Sequence, residues 1–156
     1  MPMRYVHNAK ITVFIKPEEY FGKPEVLENA KKVFHKLIPF DFEKEKLSIT
    51  EETVESFENR KIKIFGVEIF KEAHTNSFIK NLKELLGEDS CKKLLDQRGS
   101  RLDDELCFYI RLDKDALLKD VTELTDSGEC FHIKMHVAAF PKNKTAALKV
   151  VEEMLK

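Results

Sequence analysis

At 156 residues, with 42% hydrophobic and 35% charged residues, the chain carries enough apolar material for one core and too much for a disordered segment. A formal net charge of −1, from 27 basic and 28 acidic residues, excludes a uniformly basic nucleic-acid binder but not one with a single basic face. Cys91, Cys107 and Cys130 form no CxxC pair, and no run of about 18 apolar residues occurs, so the expectation is a cytoplasmic protein without disulfides, zinc or a membrane segment.

The first element, Tyr5 to Lys16, alternates as a half-buried strand from Lys10 onward. Ile11, Val13 and Ile15 point to one face, and Lys10, Thr12, Phe14 and Lys16 to the other. Pro17 and Gly22 break it, and Pro24 suits the first turn of a helix. From Glu25 to Ile38 the apolar residues Val26, Leu27, Ala30, Val33, Phe34, Leu37 and Ile38 recur at threes and fours, which predicts an amphipathic helix ended by Pro39. Acids dominate from Asp41 to Glu58, a span that holds a second strand starting near Lys46, with Leu47 and Ile49 inward, and continuing in some form to Phe57. A turn at Asn59-Arg60 leads into a third strand, KIKIFGVEIFK, whose pattern slips at Gly66. A glycine at a slip predicts a bulge or bend, with Ile62 and Ile64 inward before it and Val67 and Ile69 inward after it.

A second helix spans Thr75 to Leu86, stopped by Gly87, and Cys91, Leu94 and Leu95 extend the helical pattern for two further turns. The fourth strand turns Leu106, Phe108, Ile110 and Leu112 inward and Cys107, Tyr109 and Arg111 outward. It ends at Asp113, where a short helical turn over Lys114 to Lys119 begins. In the fifth strand Phe131, Ile133, Met135 and Val137 face in, while His132, Lys134 and His136 face out. A closing helix runs from Lys144 to Leu155. The order is β-α-β-β-α-β-β-α. Each strand has one apolar face, so residues 1–156 are expected to form a single α+β domain: a two-layer sandwich with a mainly antiparallel twisted sheet and its helices on one face.

The outward positions then form one surface. Lys10, Lys16, Lys61, Lys63, Tyr109, Arg111, Lys114, His132, Lys134 and His136 fall on it, with Phe14 and Phe65 among them. Cations contact phosphate and flat side chains stack unpaired bases, so these ten residues are the candidate RNA contacts. Lysines also line any solvated sheet face to prevent edge pairing, and the alternation alone fits that as well. Asp113 is expected to cap the turn that follows it, against the alternative of an ion pair with Arg111 that merely closes the corner.

The stretches GSRLDDELCFYIRLDKDALLKD and FHIKMHVAAFPKNKTAALKVVEEML resemble the C-terminal half of an archaeal family of small predicted RNA-binding proteins, described as predicted exosome subunits. In that family a strand with an R-L-D-K ending feeds a short helical turn, then an isolated strand and a closing helix. The resemblance implies a fold similar to a two-layer α/β large-subunit ribosomal protein, RNA as partner, and possible contacts with RNA-processing proteins. The chain departs from the family where Asp115 replaces the usual glutamine and Lys119-Asp120 stand in place of a glycine.

Nothing in the sequence assembles a catalytic constellation, a metal site or a cofactor motif. Asp103, Asp104 and Glu105 are adjacent strand-approach residues that alternate in direction. His132 and His136 stand about 13 Å apart along a strand, too far for one ion. His35 and His74 lack a partner at ligand spacing, Cys107 has no visible base, and no phosphate-loop or nucleophile-elbow motif is present. The expectation is a non-enzymatic RNA-binding protein, monomer or homodimer. The alternative is a protein-interaction or oligomerisation domain that uses the same sheet face.

Overall fold

The computed structural model describes residues 3–156. In chain order it contains β1 (Val6–Ile15), α1 (Pro17–Tyr20), α2 (Glu25–Leu37), β2 (Thr50–Ser56), β3 (Arg60–Ile69), α3 (Glu72–Asp96), α4 (Arg98–Arg101), β4 (Cys107–Asp113), α5 (Lys114–Leu118), β5 (Cys130–Val137) and α6 (Lys144–Leu155). The strands form one sheet in the order β2-β3-β1-β5-β4, with every neighbouring pair antiparallel. Helices α2, α3 and α6 cover one face, and the other is open. The two-layer α+β architecture expected from the alternation is the one observed, with the short helices α1, α4 and α5 added at strand ends.

The core follows from the patterns that predict it. Ile11, Val13 and Ile15 of β1, Phe108, Ile110 and Leu112 of β4, and Phe131, Ile133, Met135 and Val137 of β5 are all buried. From above, α2 lowers Ala30, Val33, Phe34 and Leu37 onto them, and the Phe34 and Phe131 rings meet edge to face at 5.8 Å. Gly87, at φ 84°, interrupts α3, so Phe78, Ile79, Leu82 and Leu86 pack before the break and Cys91 and Leu94 after it. The expected stop at Gly87 and the helical continuation beyond it are both present. Asn143 caps α6 by accepting the Ala146 N–H at 2.9 Å.

Three local expectations are corrected. The second strand begins at Thr50 rather than near Lys46, and none of its residues is buried; Leu47 and Ile49 pack partly against the core ahead of it. The third helix starts at Glu72, not Thr75. The third correction matters most, because β3 has no bulge at Gly66. Its pairing runs unbroken through Thr12↔Gly66 and Thr50↔Gly66 to both neighbours. Gly66 is there for closeness: a Cβ would stand 3.2 Å from Thr12 Cγ2 and 3.3 Å from Thr50 Oγ1. The irregularity of the sheet lies instead in β1, where the register with β5 shifts between Val6 and Asn8 and leaves His7 as the extra residue.

An unbroken β3 keeps a single parity from end to end. Phe65, Val67 and Ile69 face the core, and cross-strand partners share a face, so Lys63, opposite Ile15, lies on the helix side with Lys61 two residues before it. Ile62 and Ile64 take the open face. The expected outward positions of Lys61, Lys63 and Phe65 are therefore reversed.

Candidate nucleic-acid interface

The registers place the open-face side chains in rows. One row runs Arg111, His132, Thr12, Gly66 and Thr50 across the sheet. The next runs Tyr109, Lys134, Lys10 and Glu68, and a third begins Cys107, His136 and Asn8. On the other side of the first row, Phe14 pairs with Ile64 and Ile64 with Glu52, while Ile62 pairs with Val54.

Six of the ten candidate residues thus come together on β4, β5 and β1: Lys10, Tyr109, Arg111, His132, Lys134 and His136. Lys10 and Lys134 are direct cross-strand partners and both are exposed. Like charges placed opposite each other destabilise a sheet. Glu68 stands beyond Lys10 but accepts a hydrogen bond from the Asn8 amide at 3.1 Å. The ion pairs of the chain lie elsewhere, as in Lys36 with Asp120, Arg60 with Glu18, and Arg98 with Glu152, and among the described residues none engages Lys10, Lys134 or Arg111. Arg111 donates instead to the Asp126 carbonyl at 2.9 Å.

The rings of this half are fixed by their neighbours. Tyr109 and His132 lie 5.4 Å apart, and His7 and His136 5.0 Å apart. The Tyr109 hydroxyl donates to Asp103 Oδ2 at 2.8 Å, and this bond to a carboxylate pushes its pKa up to about 12. Burial raises Asp103, but the Cys107 N–H at 2.9 Å, the Tyr109 hydroxyl and the Glu105 N–H outweigh it and hold the carboxyl below its ordinary value. Asp103 is thus an anchor for Tyr109. Burial holds the His132 imidazole below its ordinary value, with the charges of Arg111 and Lys134 adding to the effect. His7 is lowered by burial, then by His136, Arg4 and Lys142.

The other four candidates lie elsewhere. Lys61 and Lys63 sit on the helix side, where Lys63 Nζ donates to Thr53 Oγ1 at 2.8 Å and the Lys61 carbonyl accepts from the Tyr20 hydroxyl at 2.7 Å. Phe65 is fully buried with Lys31 Nζ 5.4 Å from its ring centre. Lys16 forms an ion pair with Glu129, so its charge is already matched. Lys114 is the largest departure: only 3% exposed, its ammonium donates to the Phe14 carbonyl at 2.9 Å and to Glu19 at 2.8 Å, and it pairs with Glu129 at 2.8 Å. The cause is the cap. Asp113 accepts the Ala116 N–H at 2.9 Å, as expected, and α5 then turns Lys114 and Leu117 inward. No Arg111–Asp113 ion pair forms at this corner among the described residues.

The side chains weighed for other chemistry settle into structural roles. Cys107 lies on the open face but is buried, and burial, with Asp103 next, pushes its thiol up. His74 is buried against the Phe40 ring and 3.2 Å from Glu45, while exposed His35 lies against Phe42. Among the described residues no three His, Cys, Asp or Glu side chains gather as a metal-ligand group, and no helix is long and apolar enough to cross a membrane. One functional candidate was overlooked in the sequence. Arg101, on α4, reaches the free edge of β4 and donates to the Tyr109 carbonyl at 3.3 Å.

Comparison with known proteins bears on the family and the fold. The chain is 30% identical over 150 residues to the RNA-binding protein PAB1135 of Pyrococcus abyssi, covering 96% of this chain and 93% of that one. Among solved structures it is similar to protein AF2318 from Archaeglobus fulgidus, with TM-score 0.80 and 21% identity over 96% of this chain and 99% of that chain. It is also similar to Mth689 from Methanothermobacter thermautotrophicus, with TM-score 0.71 and 20% identity over 97% and 99%. At those identities the two structures speak to the fold, and both carry the DUF54 designation. A family model described as RNA binding matches residues 9–137, from the middle of β1 to the end of β5, and the chain therefore belongs to that RNA-binding family.

Proposed function

We propose that the protein binds RNA on the β4-β5-β1 half of its open sheet face and acts as a non-catalytic accessory of RNA-processing machinery of the exosome kind. The observation that carries the proposal is the exposed Lys10–Lys134 cross-strand pair, which forms no ion pair among the described residues although Glu68 stands opposite Lys10, and which is flanked by Arg111 and by the Tyr109 and His132 rings. A polyanion relieves that repulsion, and the rings offer flat surfaces for unpaired bases. The name of the Pyrococcus relative supports RNA as the ligand.

Filter-binding titrations on single-stranded and structured RNA at two salt concentrations test it. Each phosphate contact on a single strand contributes about 0.7 to the slope of log K against log salt. The double variant Lys10→Ala/Lys134→Ala is expected to weaken binding and flatten that slope by roughly 1.4, with no loss of thermal stability. Equal binding by variant and wild type would overturn this reading.

A second reading rests on the opposite half of the face. Phe14 is 56% and Val54 43% exposed, beside Ile62 and Ile64. A contact with a second copy or another protein through these residues would be insensitive to salt.

A further inference from the structure

The free edge of β4 is closed by backbone hydrogen bonds at both ends, while in the middle, among the described residues, only the Arg101 side chain reaches it, at the Tyr109 carbonyl. At its start the Cys107 carbonyl accepts the Asp103 N–H at 3.0 Å, and the Cys107 N–H donates to the Asp103 carboxylate. At its end Asp113 N–H donates to the Glu123 carbonyl at 2.9 Å, and the Arg111 carbonyl accepts the Thr125 N–H at 3.0 Å. Between these closures lies a cleft of about 390 Å³ lined by Gln97, Ser100, Arg101, Tyr109, Arg111 and Asp126.

Two guanidinium groups share this cleft, and both are held by neutral acceptors. Arg101 donates through Nε and Nη2 to Gln97 Oε1, at 3.0 and 2.7 Å, and Arg111 donates to the Asp126 backbone carbonyl. The Asp126 carboxylate stands 4.0 Å from Arg101 with its side chain 92% exposed, a distance and setting that leave most of the attraction to water. Arg101 itself is only 11% exposed at its side chain. Burial pulls its pKa down, the Asp126 carboxylate opposes, and the smaller repulsion of Arg111 adds to the fall. Two positive forks line one cleft, one of them largely withdrawn from water, and that arrangement suits an anion. Planar forks match a phosphate through paired hydrogen bonds in a way that lysine does not. Tyr109 forms part of the same wall, and the volume suits about one nucleotide.

We propose that this cleft is a phosphate site for single-stranded RNA, in which Arg101 and Arg111 grip one phosphate and the Tyr109 ring stacks the adjoining unpaired base. The proposal rests on the RNA-binding reading above and adds to it the position where one nucleotide is held at the sheet edge, beside a depression formed by Thr12, Phe14, Arg111, Gly128, Cys130 and His132. A duplex keeps its bases stacked on each other and cannot supply the second half of the contact.

The test is fluorescence anisotropy with 3′-labelled ten-nucleotide oligouridylate carrying either a 5′-phosphate or a 5′-hydroxyl, against a blunt RNA duplex of equal length. Ser100 is exposed in the cleft, so Ser100→Glu adds a carboxylate to its lining without disturbing the core. Arg101→Lys keeps the charge and removes the fork. Ser100→Glu is expected to weaken single-strand binding about tenfold or more, and Arg101→Lys several-fold, with duplex binding nearly unchanged. A strong preference for the 5′-phosphate would mark a terminal phosphate as the ligand. Equal affinity for both oligonucleotides, lost together in Ser100→Glu, would mark an internal one. Single-strand binding that falls in Lys10→Ala/Lys134→Ala but ignores Ser100→Glu and Arg101→Lys overturns the cleft and leaves the RNA reading standing. A wild-type protein that retains neither strand nor duplex ends the RNA reading and removes the ligand proposed for this cleft.

Discussion

The two halves of the open sheet face are built from the same alternation and end with opposite chemistry. The β4-β5-β1 half presents Arg111, Lys134 and Lys10 with aromatic rings between them, and two of its lysines confront each other across a strand pair. The β3-β2 half presents Ile62, Ile64 and Val54 beside Glu52, and its edge strand carries Glu51, Glu52 and Glu55. Phe14 stands where they meet. A formal charge of −1 therefore averages a basic half with an acidic edge. The lesson is that a near-neutral total says little about a surface whose charges are sorted strand by strand.

The largest effect expected from breaking this arrangement comes from beneath the boundary. Lys114→Met leaves Glu19 and Glu129 without the ammonium they share, and a cost of roughly 2–3 kcal/mol is expected, below the usual figure for a broken buried pair because Glu129 keeps contact with water. Urea unfolding measures it. If Lys114 were instead an RNA contact, affinity would fall while stability held. Next is Asp113→Ala, which removes the cap of α5 and should lower stability by about 1 kcal/mol in the same assay, with RNA affinity unchanged. A smaller change follows from Val54→Lys, a surface substitution expected to alter stability by less than about 0.5 kcal/mol. It should abolish any self-association seen by sedimentation while RNA binding on the other half persists; RNA binding lost with it would dissolve the distinction between the halves.

The finest discriminator is pH. His132 has a depressed pKa in the free protein, so the folded chain holds fewer protons than the unfolded chain near the ordinary histidine value of 6.5. Its contribution to stability is present above 6.5 and declines as pH falls through that value toward the folded pKa. Phosphate near His132 favours the charged form, so RNA affinity should rise over the same descent. Titrations from about pH 7.5 to about pH 5.5 check both slopes, and His132→Gln should flatten them. Affinity independent of pH would remove His132 from the interface.

Much of the fold was legible because period and packing agreed. The alternation of β1, β4 and β5 and the stripes of α2 and α6 each had one face that had to be buried, and each was. The Asp113 cap was legible because its chemistry is local. The six open-face residues on β4, β5 and β1 followed directly from that parity. Lys61 and Lys63 did not, because a glycine in a strand marks either a bulge or a close approach, and only Thr12 and Thr50 across the ladder decide which. The actual bulge, at His7, involves no glycine and left no mark in the pattern. Lys114 was misplaced because its partners come from other segments, Glu19 standing 95 positions away. Arg101 was overlooked for a related reason: α4 is one turn long, too short for periodicity to reveal, and its importance comes from the strand edge it reaches.

The ammonium of Lys114 also has a consequence for motion. It holds the Phe14 carbonyl at the end of β1, Glu19 on α1 and Glu129 ahead of β5, while its own backbone begins α5. A segment that loosens alone takes from the buried ammonium one of the acceptors that hold it. Their openings are thereby coupled, and backbone amides in residues 14–19, 114–118 and 129–131 should exchange with solvent hydrogen in a single concerted event with one shared free energy. The corner where the basic half ends would then behave as a rigid body on the timescale of ligand capture, presenting Arg111 and Phe14 at a fixed separation.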